Sequence, residues 1–387
     1  MRETYLTFGA PVLGEEEIDE VVDSLRSGWL GTGPKVARFE TEFRDYVGAR
    51  HAIALNSCTA GLHLSMLVAD IGPGDEVITT PMTFAATANA IVHAGATPVL
   101  VDCDRATALI DPQRVADAVT SRTKAIVPVH LCGRVCDLDA LRDIADEHDL
   151  TIIEDAAHAI ESTYGDRKIG AISELTSFSF YVTKNVITGE GGMLTTSRDD
   201  WADRVKMLAL HGMSRDAWGR YSDAGFKHYQ VLYPGHKYNM MDIQAAMGIH
   251  QLRRVEANWL RRDAIWQQYV EAFGELPVGL PAPDDDRGRH ARHLFTLLID
   301  EADTGLRRDD FIAELHRCNI GTGVHYLGLH LHPYYRDALQ LAPEDLPNAT
   351  WISERTVSLP LSPTMTQRDV DDVVDAVSHV IRAAQKG

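Results

Sequence analysis

A chain of 387 residues, 45% apolar and 24% charged, with no run of about 18 consecutive apolar residues, reads as a globular protein of two domains and excludes a disordered or membrane-spanning one. The formal net charge of −19, from 56 acidic against 37 basic side chains, works against binding to nucleic acid or an anionic membrane. An anionic small molecule would need a local nest of N–H groups, Lys or Arg.

Five short apolar runs rich in β-formers come first: HAIAL at 51–55, EVITT at 76–80, TPVLVD at 97–102, KAIVPVHL at 124–131 and TIIED at 151–155. Between them TAGLHLSMLVAD, TFAATANAIVHAG, DPQRVADAVTSR and DLDALRDIADEHD carry apolar residues at helical spacing, the last two opening on aspartates suited to N-capping. Strands alternating with helices predict an α/β fold with a mostly parallel sheet covered on both faces. After Gly248 the pattern becomes a long charged helix, HQLRRVEANWLRRDAIWQQYVEAF, and then a Pro/Asp-rich break, LPAPDDDRGRH. A strand-like HLFTLLID, a helix RRDDFIAELHRC and a terminal amphipathic helix TQRDVDDVVDAVSHVIRAA follow, so residues 1–250 are expected to form a large domain and 251–387 a smaller α+β one.

Cysteines are five and scattered, which fits reduced thiols, and the first residues lack the basic start and apolar block of a signal peptide. A cytoplasmic location is expected. Cys132 and Cys136 stand four apart, but no second pair completes a ligand set, so they are read as buried thiols and no metal is expected. His325, His330 and His332 include a His-x-His, with no adjoining acid to support a metal reading.

In open α/β sheets ligands sit beyond the carboxyl ends of the strands, which singles out four places. Asn56-Ser57-Cys58-Thr59-Ala60-Gly61 opens a helix whose first N–H groups could hold a phosphate, although a Ser or Thr there is more often only a cap. Phe84 follows EVITT, where a ring could stack on a flat cofactor or simply fill a core. Asp155 ends a buried strand and is costly unless a structural Arg or Lys, a metal or a protonated ring nitrogen meets it. Lys184 lies between the aromatic SFSFY and the glycine-rich GEGG. A phosphate cup, a ring platform, a buried carboxylate and an amine, in that order, are the parts of a pyridoxal phosphate (PLP) site.

From GWLGTGPKVARFETEF through NSCTAGL, GPGDEVITTPMTFAATANAI, IIEDAAHA, SFSFYVTKNVITGEGGM and HKYNMMDIQAAMG to VHYLGLHLHPYY and VSLPLSP, nearly the whole chain resembles the DegT/DnrJ/EryC1/StrS family of PLP-dependent sugar aminotransferases. It is most similar to the branch that aminates the C4 keto group of nucleotide-linked hexoses or pentoses, such as UDP-4-keto-arabinose aminotransferase and perosamine synthase. The resemblance implies a fold type I aminotransferase that moves an amino group from L-glutamate to a nucleotide-linked keto sugar. It makes Lys184 the lysine of the internal aldimine and then the acid/base, Asp155 the partner of the pyridine nitrogen, His158 a contact of the phenolic oxygen and Phe84 the stacking ring. The phosphate is implied at Ser57, Thr59, Ala60 and the Ser179 hydroxyl. Lys237 or Asn239 would come from the neighbouring subunit of a homodimer with shared active sites, and Trp29, His325 and Tyr326 would touch substrate. Cys58 and Gly61 depart from the usual NSGTAAL, Lys237 and Asn239 from a common Asn and Arg, and Leu210 from an arginine. A keto-cyclitol aminotransferase and a PLP-dependent sugar dehydratase of the same fold are the alternatives; the latter carries histidine where Lys184 stands. A nicotinamide oxidoreductase fails for want of G-x-G-x-x-G, and a non-catalytic relative would not need an amine opposite a carboxylate.

Overall fold

The computed structural model describes residues 2–214 and 229–385. Two helices, α1 (Glu15–Ser27) and α2 (Pro34–Val47), precede the first strand, and the alternation foreseen in the sequence then appears as β1 (His51–Leu55), α3 (Cys58–Val68), β2 (Glu76–Thr79), α4 (Ala86–His93), β3 (Thr97–Leu100), α5 (Pro112–Ala118), β4 (Thr123–Val127), α6 (Leu138–His148) and β5 (Thr151–Asp155). Asp111 and Asp137 cap α5 and α6 as expected, accepting the N–H groups of Gln113 and Ala140. A small ribbon of β6 (Thr163–Tyr164) and β7 (Arg167–Lys168) leads to β8 (Leu175–Ser179), β9 (Gly192–Thr196) and α7 (Asp199–Leu208).

These strands form a seven-stranded sheet in the order β1-β9-β8-β5-β4-β2-β3. Only β9 runs against the rest, pairing antiparallel with both β1 and β8; the other pairings are parallel. Strand β2 is buried along its whole length, which explains its reading as a continuous apolar run. On one face α3 and α7 cover Ile53, Val77, Val127 and Ile153; on the other, Phe39, Phe43, Phe178, Phe180 and Ile249 pack together. Because β9 returns beside β8, the chain between them, which contains Lys184, must turn at the carboxyl edge of the parallel strands.

The long helix α8 (Asp242–Phe273) begins earlier than its charged stretch suggests. Its first turns are poor in bulky residues because they lie tightly on α2: a Cβ on Gly248 would stand 2.6 Å from the Phe39 ring. Asp242 repays that closeness. Its carboxylate accepts the N–H groups of Gly33, Lys35 and Val36, capping α2, which has no side-chain cap of its own. The boundary expected after residue 250 falls inside this unbroken helix.

Beyond it come β10 (Phe295–Leu298), α9 (Glu301–Thr304), α10 (Arg308–Arg317), α11 (Pro333–Leu339), α12 (Pro347–Ser353), β11 (Thr356–Leu359) and α13 (Gln367–Ala384). β10 and β11 pair antiparallel. Their own apolar core gathers Trp266, Tyr269 and Phe273 of α8 with Phe295, Phe311, Val373 and Ile381. Thr366 caps α13 through the Asp369 N–H, 3.2 Å away. Among the described residues no helix is long and apolar enough to cross a membrane.

Candidate active site

Three strand ends, those of β1, β5 and β8, surround a cavity of about 510 Å³ whose wall includes Ser57, Thr59, Phe84, Asp155, His158, Ser179, Lys184, His325 and Tyr326. At the first, the leading N–H groups of α3 have no acceptor within the helix. Ser57 Oγ takes that of Ala60 at 3.1 Å, which leaves those of Cys58 and Thr59, both on the cavity wall. Ala60, expected at the phosphate, thus spends its N–H on the Ser57 cap and is not on the wall. Gly192 explains how close this helix start lies to β9: a Cβ there would stand 2.4 Å from Ser57 C and 2.5 Å from Cys58 N. Gly192→Ala is therefore expected to displace the first turn of α3, destabilise the chain by about 1–3 kcal/mol and weaken cofactor binding at least about tenfold, measured by denaturant unfolding and by cofactor titration.

Strand alternation splits the neighbouring acids Glu154 and Asp155 between two faces. Glu154 is buried in a structural network, 2.6 Å from His130 Nε2 and accepting from the Ser173 N–H and Thr176 Oγ1. Asp155 turns to the cavity, where Thr87 Oγ1 donates to Oδ2 at 2.7 Å and the Ala157 N–H to Oδ1 at 3.1 Å. Burial pushes its carboxyl above the usual range, against the pull of those two donors and of Lys184. Lys184 is half-buried on the turn after β8, its N–H bonded to the Tyr181 carbonyl at 2.9 Å. Burial lowers its ammonium to about 8, with the Asp155 carboxylate opposing.

His158 is buried and held far below the ordinary imidazole range by burial and by the nearby Lys184 charge, so its ring is neutral. Its Nδ1 accepts the Cys132 N–H at 3.2 Å, which puts the proton on Nε2, 3.3 Å from the Tyr326 hydroxyl. Tyr326 also approaches Phe84, ring centroids 6.1 Å apart. Phe84 is 64% exposed. His325 meets the Ser358 hydroxyl at 2.7 Å and stacks on Phe8. His330 instead bonds Thr350, away from His325. Cys58 is a buried thiol on the wall, its pKa raised by burial and by Asp155. Gly61 has a reason: a Cβ would come 2.7 Å from Ser177 Oγ.

Trp29, Lys237 and Asn239 lie elsewhere in the chain. Trp29 and Asn239 line a second cavity of about 650 Å³. Asn239 Nδ2 donates to Thr32 Oγ1 at 2.7 Å, and exposed Lys237 accepts the Asn56 side chain on its carbonyl at 3.1 Å, beside the start of α3. Residues the sequence reading passed over are Thr87, which holds Asp155, and His293, a cavity residue just before β10. The lone threonine and histidine carry no local signal; only the fold brings them in.

The residues fit pyridoxal phosphate: free helix N–H groups and Ser179 suit its phosphate, the bare Phe84 ring its face, and the buried Asp155 carboxylate a ring N–H. A sheet of this order, with an amine and a carboxylate opening onto one cavity at its carboxyl edge, has the make-up of a PLP-dependent transaminase. The comparisons with known proteins agree. Residues 11–378 match the DegT/DnrJ/EryC1/StrS aminotransferase family. The spore coat polysaccharide biosynthesis protein SpsC of Bacillus subtilis (strain 168) is 51% identical over 385 residues, 99% of each chain. Among solved structures, Spr1654 of Streptococcus pneumoniae in its PMP form superposes with a TM-score of 0.92 at 33% identity, covering 98% of this chain and 100% of that one. Helicobacter pylori PseC, an aminotransferase involved in the biosynthesis of pseudoaminic acid, gives 0.90 at 26% identity over 98% and 100%. The chain belongs to the DegT/DnrJ/EryC1/StrS aminotransferase family, and it is a PLP-dependent sugar aminotransferase.

Proposed function

We propose that the enzyme transfers the amino group of L-glutamate to the keto group, at C4, of a nucleotide-linked keto sugar. The observation that carries the reading is the shared cavity of Lys184 and Asp155 at the mouth of α3. When bound there, pyridoxal phosphate supplies a carbonyl that carries the amino group and a conjugated ring that takes up electron density. Lys184 Nζ would be the amine that holds the cofactor's carbonyl carbon and, when free, the base that takes a proton from the donor's Cα and the acid that delivers one to the sugar carbon being aminated; burial, which lowers its pKa to about 8, suits it to both directions. Asp155 holds a proton-bearing ring nitrogen, with Thr87 and Ala157 fixing its two oxygens. His158, protonated on Nε2, donates to the phenolic oxygen. Ser57, Thr59 and Ser179 hold the phosphate, with Ala60 shaping the cup through its bond to Ser57.

His325 and Tyr326 orient the sugar from the cavity wall. A homodimer with shared active sites is part of this reading: Trp29, Leu30, Leu232 and Met241 are apolar side chains exposed on this chain, and Lys237 or Asn239 would reach the partner's phosphate site. The division into domains 1–250 and 251–387 is likewise our reading, supported by the separate apolar core around β10 and β11. SpsC is named for spore coat polysaccharide biosynthesis, which favours a surface glycan as the destination of the amino sugar. The test is a screen of keto sugar nucleotides with L-glutamate, following 2-oxoglutarate. Turnover is expected with a 4-keto sugar nucleotide; turnover with a keto-inositol alone, or loss of water from the sugar without 2-oxoglutarate, would overturn the substrate assignment.

A further inference from the structure

His293 has no part in the reaction as laid out above, yet it is one of the most constrained groups at the cavity. It lines both the main cavity and a small chamber of about 50 Å³ behind the lysine turn, and Lys184 lines both as well. The imidazole is held from behind. Asn185 Nδ2 donates to Glu161 Oε2 at 2.8 Å and faces the Ala291 carbonyl at 3.4 Å, so the amide oxygen is the atom that meets His293 Nδ1, 2.9 Å away. An amide oxygen only accepts. Nδ1 therefore carries the proton, and Nε2 keeps its lone pair. The arrangement resists reversal, because turning Asn185 over would set its oxygen against the Glu161 carboxylate, which is itself paired with Arg262 on α8 in full burial.

Nε2 has no hydrogen-bond partner among the described residues, nor has Lys184 Nζ, and the two side chains share the walls of both cavities. We propose that His293 is a positioning residue whose Nε2 accepts a hydrogen bond from the Lys184 amine whenever that amine is free, orienting it and favouring its ammonium form. Other imidazoles are placed less well. His158 Nε2 carries a proton and faces Tyr326, while His325 meets a serine hydroxyl that can turn either way and does not line the rear chamber. The charged and titratable groups around Lys184 are Asp155 of β5, Cys58 of α3 and Cys132, with His158, His293 and His325. Around His293 stand Lys184, His325, Arg262 and His290, with the His158 ring 4.3 Å away. Burial first, and then the Lys184 charge, keeps the His293 ring neutral, so the acceptor is present across the working pH range.

The inference rests on Lys184 being the reacting amine. Its test is the pH dependence of Lys184 acetylation by acetic anhydride in the full chain freed of cofactor, read by mass spectrometry of the Lys184 peptide. The wild-type midpoint is expected near 8. His293→Leu should lower it by about one pH unit, the effect of losing one hydrogen bond to a charged group, and His293→Gln, which keeps an acceptor, should restore most of the shift. His325→Leu should move it less than half as far. An unmoved midpoint in His293→Leu, or a glutamine variant no better than leucine, would overturn the proposal. If His293→Leu does not fold by circular dichroism, Asn185→Ala, which releases the ring, decides: a fall of at least half the size supports the contact, and no change refutes it. Borohydride fixation of the cofactor in the wild type separately reports whether Lys184 is the reacting amine.

Discussion

Lys184→Ala is expected to fold, to bind pyridoxal phosphate without a covalent link, and to lose turnover by roughly 10⁴-fold or more, since one side chain serves as nucleophile and as acid/base. Borohydride should fix the cofactor in the wild type and release none on denaturation, whereas the alanine variant should release all of it. The substitution removes a half-buried amine whose charged form burial disfavours, so little loss of stability should accompany it. A covalent adduct that survives the substitution, or turnover within tenfold of wild type, would show that another amine does the work.

The second large effect is at Asp155, where activity and stability should move in opposite directions. Asp155→Asn keeps the shape and can still meet Thr87 and the Ala157 N–H, but it removes the negative charge that holds a ring proton; kcat should fall roughly 10²–10³-fold. Burial raises the folded-state pKa of this carboxyl above its unfolded value, so the native chain without cofactor holds the carboxyl proton more tightly than the unfolded chain does. The sign follows from linkage: the carboxyl is tolerated below its unfolded pKa, costs stability increasingly as pH rises from there to its folded pKa, and costs a constant amount above that. The cofactor-free asparagine variant should therefore melt higher than wild type at pH 7, on the order of 1 °C or more, with the gain vanishing in acid. A lower melting temperature at pH 7 would mean that the charged carboxylate is already compensated without a ligand.

Much of the sheet was legible because its strands are buried on both faces and so are written as unbroken apolar runs, HAIAL and TIIED matching β1 and β5 residue for residue. The same logic exposed Asp155 and Lys184, since an acid closing a buried run and a lysine beside a glycine-rich turn are local anomalies. What was hidden depends on contacts distant in sequence. The sequence reading begins the long helix only after Gly248, because the reason for small residues in its first turns is the Phe39 ring, which lies far away in sequence. Thr87 and His293 look ordinary on their own segments; Asp155 and Asn185, which give them meaning, come from other strands and turns. Ala60 was assigned to a phosphate, yet a serine three residues earlier had first claim on its N–H. That local competition could have been weighed from the sequence.

The unbroken span of α8 limits how the gene could be divided. A fragment stopping at residue 250 would retain Asp242 and its grip on α2, but the helix would be severed short of Arg262, leaving the Glu161 carboxylate without its cationic partner and with only the Asn185 amide on its oxygens among the described side chains. The complementary fragment would begin in mid-helix with bare N–H groups and an unshielded row of Trp266, Tyr269 and Phe273 only where its own strands failed to form. Neither half inherits a clean edge, so the two regions should be produced as one polypeptide, with any inserted tag or split point placed away from this rod.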